Sequence, residues 1–235
     1  MAVLAHHLIV AFLIVGIPLW DRYEIRRLKQ STNPHARIQS YQITLGWLWT
    51  ATILLLLTTR MGDLFTPLPL PAPGLTLSAG VVIPVIVGLL VGTTVPLAIQ
   101  RLKPGPPRPV KTLGEALLLF PRTRAERWWF AGVSVSAGIC EEVIFRGFLI
   151  RYLAVLPIGL GLVGAVLGAA LIFGVDHGYQ GLLGVLVTGG LALLMTALFY
   201  ASGALPLAMV VHALLDLRIL LMILPTEAVR AAGDS

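Results

Sequence analysis

Apolar runs of about 20 residues recur along nearly the whole chain, and this narrows its possible folds more than any other feature. They fall at about 3–20, 41–59, 77–99, 128–154, 160–177, 181–200 and 205–224. Such a series is the signature of a polytopic membrane protein. The expected fold class is all-α, a polytopic membrane bundle of about seven or eight transmembrane helices. Residues 113–121 supply either a short surface helix or the start of an eighth span. Only 12% of residues are charged, about half the fraction of a soluble domain. Residues 1–235 therefore read as a single integral membrane domain with no separate soluble one. The first run lacks a basic leader and a small-residue cleavage site, so it reads as a retained span.

The net charge of +6 points to topology rather than to nucleic acid. Seven of the 17 basic residues are Arg101, Lys103, Arg108, Lys111, Arg122, Arg124 and Arg127, and five more are Arg22, Arg26, Arg27, Lys29 and Arg37. Loops this basic stay on the cytoplasmic side and contact anionic lipid. They place the amino terminus outside and the carboxyl terminus inside, with the lipid bilayer as partner and no nucleic acid. The loop near 60–76, with Pro67, Pro69, Pro71 and Pro73, suits the outer surface and forbids a helix. Cys140, the single cysteine, reads as a packing residue and rules out an intrachain disulfide. Trp47, Trp49, Trp128 and Trp129 read as aromatic belts near span ends, and Arg218 as a side chain snorkelling to the inner surface. His6 and His7 show no partner.

Against this apolar background, Glu141-Glu142-Val143-Ile144-Phe145-Arg146 stands out. A charge at the centre of a span costs roughly 2.5–3.5 kcal/mol on insertion scales, so adjacent glutamates mark either a functional site or a structural ion pair. Arg146 follows Glu142 by four positions and shares its helical face. It lies about 140° from Glu141 at about 100° per residue. Glu142 thus has a counter-ion, while Glu141 is left as the candidate general base.

The next two spans form a hairpin about Pro157, Gly159 and Gly161. Glu141 lies 18 residues before Gly159 and His177 lies 18 after it, so antiparallel helices bring them to equal depth. Phe173, one turn before His177, can pack over its imidazole. Asp176 reads as solvated at the end of the span. In the last span His212 and Asp216, four apart, put two polar groups on one face. They read as a hydrogen-bonded pair in the bundle or as donors for a developing oxyanion. Counted from the turn at Gly203, His212 is nine residues deep, which conflicts with the depth of Glu141 unless the last spans are offset.

The three motifs, Glu141-Glu142-x-x-x-Arg146, Phe173-x-x-x-His177 and His212-x-x-x-Asp216, together resemble the CAAX protease and bacteriocin-processing family, also called the Abi family. The resemblance covers about residues 115–220, a catalytic helix core. It implies an intramembrane endopeptidase, with a protein or peptide substrate that is CAAX-like or leader-bearing, in a bacterial inner (plasma) membrane. It further implies that Glu141 activates water with help from His177. Glu142 and Arg146 hold the helix, and His212 and Asp216 stabilise the oxyanion, with no cofactor. The chain departs from the family's habit twice. It has Asp216 where Asn is frequent, and Gly181 where CAAX-type members tend to carry Asn four residues after the second-motif histidine.

Other readings use the same residues. His177, His212 and Glu141 could supply a zinc ligand set, although no His-Glu-x-x-His sequence anchors it. Intramembrane carboxylates and histidines also build transport pathways, and the fold could serve as a non-catalytic scaffold.

Overall fold

The computed structural model describes residues 2–70, 78–102 and 114–222. Every regular element among them is helical. Helix α1 runs without a break over Ala2–Gln30, ten residues past the first apolar run. Its π-helical turn at Phe12–Gly16 comes directly before Pro18, whose ring and missing N–H would otherwise strain a regular helix. The polar extension is held by pairing across the turn to α2, Ala36–Thr58. Arg27 Nη2 lies 2.5 Å from Glu24 Oε1, and the Ser40 hydroxyl donates to the same carboxylate.

A short helix α3, Met61–Phe65, corrects the expectation of a helix-free loop, because it ends before Pro67 forbids continuation. The expectations that fall on Pro71, Pro73, Lys103, Arg108 and Lys111 lie outside the described residues. Helix α4, Ala79–Leu102, carries Pro84 and Pro96, and a 3-10 turn at Gly114–Leu118 follows. Helix α5 spans residues 124–154, with a π-helical segment Glu142–Leu149 between its α-helical ends. Helices α6 (Gly161–Asp176), α7 (Gly181–Ser202) and α8 (Leu205–Leu217) complete the bundle. Gly203 closes α7 at φ +73, a left-handed cap that glycine adopts without strain. Four helices, Ala2–Gln30, Ala36–Thr58, Ala79–Gln100 and Gly178–Ser202, are long and apolar enough to cross a membrane. The shorter α6 and α8 and the charged α5 pack among them.

Helix α5 is the axis of the core, and every residue from Glu142 to Leu149 is buried. Lipid is as apolar as leucine, so close packing rather than hydrophobicity must hold such helices together. Two glycines make this possible. A Cβ on Gly138 would lie 2.7 Å from the backbone nitrogen of Ala213, and one on Gly147 2.5 Å from the Leu64 carbonyl oxygen. The first contact seats α8 on α5, and the second seats α3. Arg151 reinforces the second by donating to the carbonyls of Asp63 and Thr66 at 3.0 and 3.1 Å.

The depth conflict in the last span resolves here as an offset. Helix α5 ends at Ala154, five residues short of Gly159, and Leu205 at the start of α8 packs beside Gly147. His212 is then seven residues from Leu205, and Glu141 six from Gly147, so they share a level. Trp47 and Trp49 lie at the middle of α2 and not at its end. The Trp49 indole donates to Ser136 Oγ at 3.1 Å, a polar anchor that fixes it between helices. His6 and His7 do have partners. His6 Nε2 lies 3.1 Å from the Thr58 and Thr59 hydroxyls, and His7 Nδ1 lies 2.6 Å from the Tyr152 hydroxyl.

Candidate active site

The two glutamates on α5 meet a single histidine from α8. His212 Nδ1 lies 2.7 Å from Glu142 Oε1. A carboxylate oxygen accepts, so the ring donates from Nδ1. Its Nε2 faces Glu141 Oε2 at 3.8 Å and Asp216 Oδ2 at 3.7 Å. Arg146 Nη1 reaches the same Glu142 Oε1 at 3.1 Å, and its Nη2 donates to the Ala192 carbonyl of α7 at 3.3 Å. Glu142 is 0% exposed and Arg146 3%. Such a pair survives burial only when both members are also hydrogen-bonded. The expected pairing of Glu142 with Arg146 is therefore present. The sequence reading missed the second bond of Glu142, which fixes the ring of His212.

Phe173 joins the remaining motif to this cluster. Its ring centroid is 4.9 Å from the Arg146 guanidinium carbon, a cation–π distance. It is also 4.6 Å from the His177 ring and 6.1 Å from the His212 ring. His177 sits just past the end of α6, where its Nδ1 lies 2.8 Å from the Phe173 carbonyl oxygen. That oxygen can only accept, so Nδ1 carries a proton and Nε2 of the neutral ring keeps its lone pair. The expected packing of Phe173 on the imidazole is realised, and the backbone bond adds control of the tautomer.

Glu141, Arg146, Phe173, His177, His212 and Asp216 all line one cavity of about 590 Å3. The Glu141 Oε2 atom is buried there without a hydrogen-bond partner among the described residues. The cavity walls extend beyond the three motifs. Asp21 comes from α1, Tyr41 from α2 and Thr93 from α4, with Tyr179 from the turn after His177. Only side-chain chemistry near the inner ends of apolar runs hinted at these, and spacing could not.

Two expectations are corrected. Asp176 is not solvated. It is 6% exposed and faces the same cavity, because α6 ends inside the protein. Arg218 does not snorkel away. It donates to Thr93 Oγ1 at 3.1 Å and lines the cavity as well. Cys140 is fully buried in the core, in keeping with a packing role. As for a zinc set, no three His, Cys, Asp or Glu side chains among the described residues gather in a way that could hold a metal ion. His177, His212 and Glu141 are therefore not gathered as a ligand set in this structure, although the Nδ1 bonds of both histidines would leave Nε2 free to ligate.

No curated protein and no solved structure matches the chain. Residues 123–218, which hold every residue of the three motifs, match the model of the Rce1-like family, described as type II CAAX prenyl endopeptidase Rce1-like, and over this stretch the resemblance to the CAAX proteases stands.

Proposed function

We propose that the chain is a glutamate-dependent intramembrane endopeptidase. The match of residues 123–218 to the Rce1-like family supports protease chemistry; the assignment of roles comes from the site. One observation carries it: of two adjacent buried glutamates, each with Oε2 unpartnered among the described residues, Glu142 has Oε1 engaged by Arg146 and His212, while it is Glu141 that lines the cavity. Glu141 draws a proton from water, and the hydroxide attacks a peptide carbonyl. The free Nε2 of His177 shares in moving that proton on to the amine nitrogen, which leaves as the C–N bond breaks. As an imidazolium, His212 donates from Nε2 to the developing oxyanion, and a protonated Asp216 donates beside it. Glu142 keeps His212 turned toward the reaction, and Arg146 and Phe173 hold the frame.

The substrate is a membrane-associated protein with a CAAX-like tail or a leader. The basic loops put the amino terminus outside and the carboxyl terminus in the cytoplasm, in a bacterial inner membrane. No cofactor is assigned, and cleavage by purified protein should persist through exhaustive chelation. The deciding experiment compares wild type with Glu141→Gln and Glu141→Ala. An uncleaved precursor should accumulate in membranes carrying either variant. Undiminished cleavage by well-folded Glu141→Gln protein would sink the reading.

A further inference from the structure

We propose that Asp176 and Asp21 form a subsite for a positively charged side chain of the substrate, a lysine or arginine close to the bond that is cut. The inference rests on the reading that the cavity receives a peptide, and it adds which peptide. Among the described residues the cavity is lined by the carboxylates Asp21, Glu24, Glu141, Asp176 and Asp216, against the guanidiniums of Arg146 and Arg218. Most of these charges are accounted for. Glu24 is held by Arg27, Arg146 by Glu142, and Asp216 faces His212. Arg218 donates to Thr93.

Glu141 is taken by the proposed chemistry, which leaves Asp176 and Asp21. Asp176 is buried at the cavity wall, and neither of its oxygens has a hydrogen-bond partner among the described residues. Asp21 comes from the facing helix α1 and forms no ion pair among them. Both line the same cavity as Glu141. A carboxylate taken out of water needs a cation or donors in exchange, and the described residues supply neither at Asp176. A metal ion is a poor candidate, because no third ligating side chain among the described residues joins them. An ammonium or guanidinium on a flexible stem suits the place better, since it can enter with the peptide and make charge-assisted bonds to both aspartates. Asp176 immediately precedes His177, so the bound cation would sit beside the chemistry and set which bond is presented.

The test measures binding without turnover. Full-length protein carrying Glu141→Gln is placed in nanodiscs and titrated with lipid-anchored peptides that differ only in lysine, norleucine or glutamate at one position, scanned along the peptide. At one register lysine should bind at least about tenfold more tightly than norleucine, as a charge-assisted bond to a buried group implies, and glutamate more weakly than either. Asp176→Asn and Asp21→Asn should each erode the lysine advantage, and Asp176→Glu should keep it. Absence of any lysine preference, including absence of binding, overturns the subsite. So does a preference that survives both Asn substitutions. The comparison of the three peptides on Glu141→Gln protein stands even if an Asn variant fails to fold. A lysine preference there, together with wild-type protein that never hydrolyses any of these peptides, would reject the protease reading and leave the subsite.

Discussion

Gly138→Ala is the sharpest probe of how α8 is seated. The added Cβ would lie 2.7 Å from Ala213 N and 2.8 Å from the Met209 carbonyl oxygen, where ordinary contact begins at 3.4 Å. Both obstacles are backbone, so no side-chain rotation relieves them, and α8 must retreat by roughly 0.6–0.7 Å. His212 is the neighbour of Ala213 and travels with it. Its 2.7 Å bond to Glu142 would then stretch to about 3.4 Å, past useful hydrogen bonding. Overpacking costs about 1–3 kcal/mol, and a strained bond to a buried charge adds to it, so a loss of about 2–4 kcal/mol is expected. Displacement of this order in a catalytic group should lower cleavage about 100-fold. Thermal unfolding followed by tryptophan fluorescence in detergent reads the first effect, and hydrolysis of a precursor peptide the second. Gly132→Ala on the same helix is the control, since nothing lies within 4 Å of its Cβ. If Gly138→Ala matches that control in both assays, the close approach of α5 and α8 does not position His212.

Breaking the Glu142–Arg146 pair from either side should cost about 3–5 kcal/mol, because it strands a buried charge. The double variant Glu142→Leu with Arg146→Met should recover part of that in chemical denaturation, and strictly additive losses would refute the coupling. At the entrance to α5, Thr123 Oγ1 accepts from the Glu126 N–H at 3.2 Å and the Glu126 carboxylate accepts from the Thr123 N–H at 3.0 Å. Thr123→Ala should therefore lower stability by about 1 kcal/mol. Cleavage should be unchanged, because the cap is 18 residues from Glu141; a large loss of activity would argue that the start of α5 is coupled to the site.

Much of this molecule was legible because its elements are written in uninterrupted apolar runs. The helix ends at Thr58, Asp176 and Ser202 fall within two residues of where hydropathy put them. The pairing of Glu142 with Arg146 was equally legible, since a four-residue spacing is local. What escaped depends on how helices sit against one another. Counting from turns assumed that each turn marks the same level, whereas Gly138 and Gly147 let α8 dock partway along α5. The angular argument also assumed α-helical pitch, while Glu142–Leu149 is π-helical and turns less per residue. Asp176 was assigned to the surface because it ends an apolar run, and Arg218 because it cannot share the face of Asp216; only the assembled bundle shows that both face a shared interior. Trp49 illustrates the same limit. Its partner Ser136 is 87 residues away.

The offset docking of α8 also bears on the bilayer. With Leu205 level with Gly147 and α5 continuing to Ala154, the corner at Ser202–Ala204 lies about 10 Å short of the end of α5 along the helix axis. In a bilayer that reaches the end of α5, the corner's polar backbone would draw water and headgroups down or thin the leaflet beside it. Each is a local deformation imposed on one flank of the protein. A segment crossing the membrane there would meet a shorter hydrocarbon path and lose part of the incentive to remain helical. For the proposed peptidase, which needs an extended backbone to grip, the same offset that aligns His212 with Glu141 would also ease the unwinding of a segment arriving beside it.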